Sequence, residues 1–210
     1  MKKYNDNSIS EASTFLFNAD SEIRSLINSI NLSQRKPEKD YFLSLIRSII
    51  YQQLSGKSAK AIFDRFVLLF SNKENLIPEN IIKLDFELIR SVGLSKSKVN
   101  YIKNIAEAFI DGTIDYENFE TYSDKDVMEQ LISIKGVGPW TAQMFLMFTL
   151  GRSDIFPIGD LGVQKGFRIF FNLKNLPSKN TMLSRAEIWR PYRSIMAMYF
   201  WKVADGHFKH

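Results

Sequence analysis

Between residues 131 and 142 the chain reads Leu131-Ile-Ser-Ile-Lys-Gly136-Val-Gly138-Pro139-Trp-Thr-Ala142, with helical apolar patterns on either side. Two glycines flank one valine, and Pro139 falls at the first position of the second helix. Proline there gives up only an N–H that has no partner within a helix. Glycine lets the backbone turn sharply and admit a close neighbour. The spacing predicts a helix, a tight hairpin and a second helix, with backbone amides at the turn facing outward. An anion such as a phosphate suits those amides. On the local residues alone two readings stand: a phosphate-binding hairpin, or a plain connection between helices.

The helical period recurs along the chain. Ile23, Leu26, Ile27 and Ile30 share one face, as do Phe42, Leu45, Ile46 and Ile49, and Val99, Ile102, Ile105, Ala106 and Phe109. No segment alternates with period two for more than a few residues. The fold class is therefore all-α, with about ten helices, each too short to be stable outside a packed body. Ser95 is placed to cap the helix after the Gly93 break, and Ser123 with Asp126 has the spacing of a capping box. Residues 1–19 read as an extended lead-in that docks through Phe15, Leu16 and Phe17. Residues 31–40 and 111–122 read as loops. The expected organisation is two helical subdomains with a cleft between them. Residues 1–35 would pack with the C-terminal lobe, 36–122 would form a helical subdomain, and 123–210 would hold the helix-hairpin-helix and the C-terminal lobe.

Composition removes several chemistries. With no cysteine there is no disulfide, no thiolate nucleophile and no cysteine-ligated iron–sulfur cluster. The two histidines, His207 and His210, sit at the tail, which leaves little for a zinc site or a histidine-based triad. No run of 18 apolar residues occurs and the N-terminus leads into no signal-like segment, so a cytoplasmic, nucleoid-associated protein without membrane contact is expected. A net charge of +5 favours a polyanionic partner. Lys57, Lys60, Lys96, Lys98, Lys165 and Arg168 are candidates for further phosphate contacts, of which only those sharing a face with the hairpin matter, and sequence does not sort them.

Three further residues have two readings each. Asp160 follows Phe156-Pro-Ile-Gly159 and precedes a helical pattern, so it is either an N-cap or a reactive carboxylate. Leu54, beside Gln52, Gln53 and Ser55 at a helix end, is either buried or the tip of an exposed turn. Trp201 is either a core aromatic of the last helix or the wall of a pocket.

Five stretches taken together resemble the helix-hairpin-helix DNA glycosylases, most nearly the 3-methyladenine DNA glycosylase II type. They are Ile49–Ser55, Val92–Ser95, Lys135–Ala142, Asp154–Gly162 and Trp189–Ser194, in that order across roughly residues 20–204. The resemblance implies that Asp160 is catalytic, facing C1′ of an extruded nucleotide and stabilising the positive charge that builds on the sugar as the base leaves. It also implies that Trp201 stacks on the base, with Trp140 and Met144 lining the same pocket. A cationic alkylated purine gains ~0.5–2 kcal/mol from such stacking. Leu54 takes the place of the intercalating wedge, with Gln53 beside the widowed base. Lys135, Gly136, Val137, Gly138 and Thr141 form the phosphate-binding hairpin. Family hairpins hold a monovalent cation, Na+ or K+, through backbone carbonyls, here those of 134–139, as a structural ion; no cofactor is required for the chemistry.

Bifunctional members carry a lysine after the hairpin proline. This chain has Trp140, and an indole cannot form an imine with the sugar. The expected enzyme is thus a monofunctional glycosylase for alkylated purines in double-stranded DNA, monomeric and without an additional N-terminal domain. Two alternatives remain: a glycosylase for oxidised, deaminated or mispaired bases, marked by a pocket rich in donors and acceptors, and a non-enzymatic helix-hairpin-helix DNA-binding protein. An Asp160 carboxylate shut inside the fold would favour the last.

Overall fold

A computed structural model describes residues 8–32, 38, 40–70 and 75–208. Residues 1–7, most of the 31–40 loop and His210 lie outside the described residues. Among those described there are twelve α-helices and no β-strand. None of the helices is long and apolar enough to cross a membrane. The chain divides into two compact units: Glu38–Thr149, and a discontinuous unit of Met1–Pro37 with Leu150–His210.

The continuous unit is built around α3 (Tyr41–Tyr51), which Asp40 caps by accepting from the Leu43 N–H at 2.8 Å. Phe42, Leu43, Leu45, Ile46, Ile49 and Ile50 are buried along one broad face, and the remaining residues of the helix are half-buried. It packs on α4 (Gly56–Leu68), α7 (Lys96–Ile110) and α9 (Pro139–Phe148). The short helices α5 (Pro78–Lys83) and α6 (Phe86–Ser91) lean on α7. The boundary expected near residue 122 is corrected to 149/150. α8 (Asp124–Ser133) packs on α9, and the α9 residue Phe145 meets Tyr41 and Phe119 edge-on, both at 5.7 Å between ring centroids. The helix-hairpin-helix therefore belongs with the residues before it. Ser123 caps α8 through the Asp126 N–H at 3.1 Å. Asp126 turns its carboxylate to accept from the Ser123 hydroxyl at 2.6 Å, so the side chains face each other.

In the discontinuous unit, residues 8–19 are not an extended lead-in but helix α1 (Ser8–Ala19). Its buried residues Ile9, Ala12 and Leu16 lie at i, i+3 and i+7, a helical face that the run Phe15-Leu16-Phe17 obscures in the sequence. α1 packs on α2 (Arg24–Ser29) and on α12 (Arg193–Ala204). The buried Asp20 accepts from the Trp189 indole N–H at 2.8 Å and is paired with Arg185 of α11 (Lys179–Ala186) at 2.5 Å, joining the two ends of the chain. α10 (Leu161–Phe170) crosses α12 almost backbone to backbone: a Cβ on Gly166 would lie 1.9 Å from the Phe200 carbonyl oxygen. Phe156, Phe167 and Trp189 complete an aromatic core around Phe200.

Candidate active site and nucleic-acid interface

Asp160 is the N-cap of α10, and its Oδ1 accepts from the Val163 N–H at 2.8 Å. The same oxygen accepts from the indole N–H of Trp201, on α12, also at 2.8 Å. The capping reading is thus observed, and a second group holds the carboxylate besides. Trp201 is half-buried and does not sit in the core, and Asp160 is half-buried at the helix start rather than closed inside. Two hydrogen bonds from different helices to one oxygen fix the plane of the carboxylate. The close approach of α10 and α12 makes this possible. Gly162 lies one turn before Gly166 on the same face, and a Cβ there would fall 2.7 Å from Trp201 Cδ1 and 3.0 Å from Asp160 Oδ1.

In the continuous unit, α3 ends at Tyr51 and the chain turns through Gln52 to Ser55, where Ser55 caps α4. Gln53 holds a left-handed φ of 55°, unusual for a residue with a Cβ. Leu54 is 40% exposed, so the burial that its side chain favours is not what the turn provides. Gln52 donates through Nε2 to Thr141 Oγ1 at 2.9 Å, tying the turn to the start of α9.

The hairpin turns at Gly136, whose φ is 109°. Tyr101 of α7 packs so closely that a Cβ at 136 would lie 2.2 Å from its ring. The Val137 N–H does not face outward: it donates to the Ile134 carbonyl at 3.0 Å and closes the turn, with the Val137 side chain buried. Gly138 is different. It is the N-cap of α9 with an ordinary φ of −92°, makes no side-chain cap, and a Cβ there would meet nothing within 4 Å. Nothing inside the protein requires glycine at 138. An open groove of about 690 Å³ runs along this surface, lined by Gln53, Ser97, Tyr101, Gly138, Trp140 and Thr141 among others. Trp140 is 39% exposed, whereas Met144 is buried on α9 and Lys135 is exposed beyond the turn. The structure thus brings Asp160 and Trp201 together in one unit, and Gln53 with the Gly136–Thr141 segment in the other.

A family model for HhH-GPD superfamily base excision DNA repair proteins matches residues 46–191. The chain belongs to that superfamily. The HhH-GPD region so defined spans the Gln52–Ser55 turn, the hairpin and Asp160. Within the superfamily the chain falls in the 3-methyladenine glycosylase branch. DNA-3-methyladenine glycosylase 1 of Schizosaccharomyces pombe is 38% identical over 180 residues, covering 85% of this chain and 79% of that protein. The alkylbase DNA glycosidase-like protein mag2 of the same yeast is 31% identical and covers 97% of this chain and 98% of its own length. The solved structure of the S. pombe 3-methyladenine DNA glycosylase Mag1 with abasic DNA superposes with a TM-score of 0.85 at 36% identity, covering 95% of this chain and 100% of that one.

The basic candidates of this HhH-GPD chain separate in the structure. Lys98 is turned inward: its ammonium donates to the carbonyls of Ile50 and Gln52, both at 2.8 Å, and burial pulls its pKa below the usual lysine value. Two of its donors are thus engaged by backbone carbonyls at the end of α3. Lys60 is paired with Asp64 at 2.5 Å, Lys57, Lys96 and Lys165 are exposed, and Arg168 is half-buried. The sequence reading missed Tyr101 and Asn104, which meet the hairpin turn, and the bond from Gln52 to Thr141, since these partners lie far along the chain. Gly162 and Gly166 were legible as small residues four apart, a spacing that marks a close helix crossing. Among the described residues no group of three or more His, Asp or Glu is placed to hold a metal ion.

Proposed function

We propose that this protein is a monofunctional DNA glycosylase. It hydrolyses the N-glycosidic bond of alkylated purines of the 3-methyladenine and 7-methylguanine type in duplex DNA and leaves an abasic site. The observation that carries the reading is Asp160 Oδ1 held by both the Val163 N–H and the Trp201 indole. A base stacked in a duplex is out of reach of such a group, so the nucleotide is extruded first. As the bond between base and C1′ breaks, the base leaves with the electron pair and the sugar becomes cationic. A carboxylate fixed in advance stabilises that charge where it develops, and water then adds to C1′ and gives up a proton to solvent. An alkylated purine that is already cationic leaves without strong acid help.

Trp201 has a double task in this reading. Its N–H orients Asp160 while its ring offers a face to the cationic base. Leu54, exposed on its turn, fills the gap left in the stack with Gln53 at the widowed base. The bare N-terminus of α9 and the open space over Gly138 suit a DNA phosphate, with Lys135 nearby. A monovalent cation on the hairpin carbonyls fits this arrangement. The carbonyls of Ile134, Lys135 and Gly138 each accept one protein hydrogen bond, and a carbonyl has a second lone pair to offer. Those carbonyls would hold such an ion, which would add positive charge beside a phosphate and take no part in bond breaking. Trp140 in place of a lysine leaves no amine to form an imine, so no strand cleavage accompanies base release. The protein acts as a monomer on nucleoid DNA in the cytoplasm.

The test is release of free 3-methyladenine and 7-methylguanine from alkylated duplex DNA, identified by chromatography, with Asp160→Asn alongside. Asparagine caps helices as well as aspartate does, so the fold is kept. Release is expected to fall by about 10²-fold or more, in the range seen when a preorganised stabilising group is removed, with duplex binding largely retained. Equal release by wild type and variant would overturn the assignment. A borohydride-trapped protein–DNA adduct would overturn the monofunctional reading.

A further inference from the structure

The Gln52–Ser55 turn is weakly held by its own backbone. The Gln52 N–H reaches the Ile49 carbonyl at 3.3 Å and the Leu54 N–H reaches that of Tyr51 at 3.4 Å, around a left-handed Gln53. Carbonyls at the end of α3 have no helical donors of their own. The Lys98 ammonium donates to two oxygens in this segment, those of Ile50 and Gln52, at 2.8 Å each. Such charge-assisted bonds are stronger than neutral ones, and a cation is favoured at a helix C-terminus.

Helix α7, which carries Lys98, also holds the hairpin. Asn104 donates through Nδ2 to the Lys135 carbonyl at 2.9 Å, and Tyr101 occupies the space beside Gly136. Gln52 closes the circuit by donating to Thr141. The turn, the hairpin and α7 are therefore joined pairwise.

We infer that Lys98 is a positioning residue for the Leu54 wedge, and that α7 sets the wedge at a fixed place relative to the phosphate-gripping hairpin. Seating a phosphate on the hairpin then aims Leu54 at one step of the base stack. This rests on the proposed function, since it takes Leu54 as the wedge.

The test reads wedge insertion without any chemistry. A duplex carries a tetrahydrofuran abasic analogue with 2-aminopurine as the neighbouring base, and fluorescence is measured at saturating protein, per bound complex. Wild type is expected to brighten the probe by unstacking it. Lys98→Met keeps the length of the side chain and loses the donors. Loss of charge-assisted bonds should lower the insertion equilibrium by roughly tenfold or more. Lys98→Arg keeps donors and is expected to restore the signal. Ile81→Val, at a buried position of α5, serves as a control for general destabilisation. A Lys98→Met signal equal to wild type overturns the inference. So does a loss no larger than that of Ile81→Val, or a Lys98→Arg signal as poor as that of the methionine variant. A Leu54→Ala signal equal to wild type removes the wedge assignment itself, and the inference with it, whereas loss in Leu54→Ala with none in Lys98→Met refutes the positioning role alone.

Discussion

Gly162→Ala tests whether the geometry around Asp160 matters to the reaction. The added methyl would lie 2.7 Å from Trp201 Cδ1, 3.0 Å from Trp201 Nε1 and 3.0 Å from Asp160 Oδ1. Carbon contacts settle near 3.5–4.0 Å, so the indole has to move away by most of an ångström. The 2.8 Å bond from Trp201 to Asp160 then lengthens past a useful hydrogen bond. A hydrogen bond to a charged group contributes about 1.5–3 kcal/mol. If that bond aims the carboxylate, the chemical step slows by about tenfold to a hundredfold, each tenfold being about 1.4 kcal/mol. Misplacement of a reacting group by about 1 Å has effects of the same size. Alanine also favours a helix over glycine by about 1 kcal/mol, which offsets part of the steric cost, so melting should change little. The assay is single-turnover release of 7-methylguanine at saturating enzyme, with duplex affinity measured separately. Trp201→Phe is the companion: it keeps the ring and removes the N–H. Both variants are expected to lose rate in the chemical step. A wild-type single-turnover rate in both would refute the claim that the indole N–H positions Asp160. Weaker binding of lesion DNA with an unchanged rate would reduce Trp201 to a stacking surface.

The two hairpin glycines should behave differently. Gly136→Ala forces a Cβ into a φ of 109° and against the Tyr101 ring, so it should cost about 1–3 kcal/mol for the backbone alone and lower both melting temperature and duplex affinity. Gly138→Ala meets no such conflict and should change stability by no more than about 0.5 kcal/mol, while duplex affinity falls because the methyl stands where a phosphate approaches; unchanged affinity would remove Gly138 from the interface. Asp20→Asn probes the joint between the chain ends. Burial of Asp20 opposes its ionisation, but the bonds from Arg185, Trp189 and the Glu22 N–H outweigh it and hold the carboxyl below its usual pKa. That contribution is present above the usual carboxylate pKa and is lost as the pH falls through the lower native value. Arg185 is partly exposed, so a cost of about 2 kcal/mol at pH 7 is expected, below the range for a fully buried pair. The melting gap between Asp20→Asn and wild type should close below about pH 4, and a gap that stays constant with pH would show that the charge of Asp20 contributes nothing.

Which parts of this molecule could be read from the chain follows from how far each contact reaches. Burial on α3 follows the helical period, so Phe42, Leu45, Ile46 and Ile49 announced its buried face. The N-cap residues Asp40, Ser55, Ser95, Ser123 and Asp160 act on amides three places on, and local rules reach that far. The unit boundary at 149/150 left no compositional mark, because α9 ends against its own unit and the chain passes directly into the other. Lysine in a sequence carries no direction, and Lys98 finds its carbonyls 46 and 48 residues away through the packing of α7 on α3. Leu54 kept two readings because hydrophobicity says nothing of a left-handed residue before it.

Asp160 is the instructive case, since a capping aspartate and a catalytic one are written alike. The cap seen in the structure does not compete with the proposed catalytic role. Capping ties Oδ1 to the Val163 N–H and thereby sets the side-chain rotamer, and Trp201, 41 residues away, adds the second restraint. That second restraint depends on the absence of side chains at Gly162 and Gly166, which lets α12 approach α10. A capping residue whose cap oxygen is also gripped by a neighbouring helix is held far more firmly than helix stability alone requires. Such firmness is what a carboxylate needs if it is to meet a transient positive charge without first reorienting.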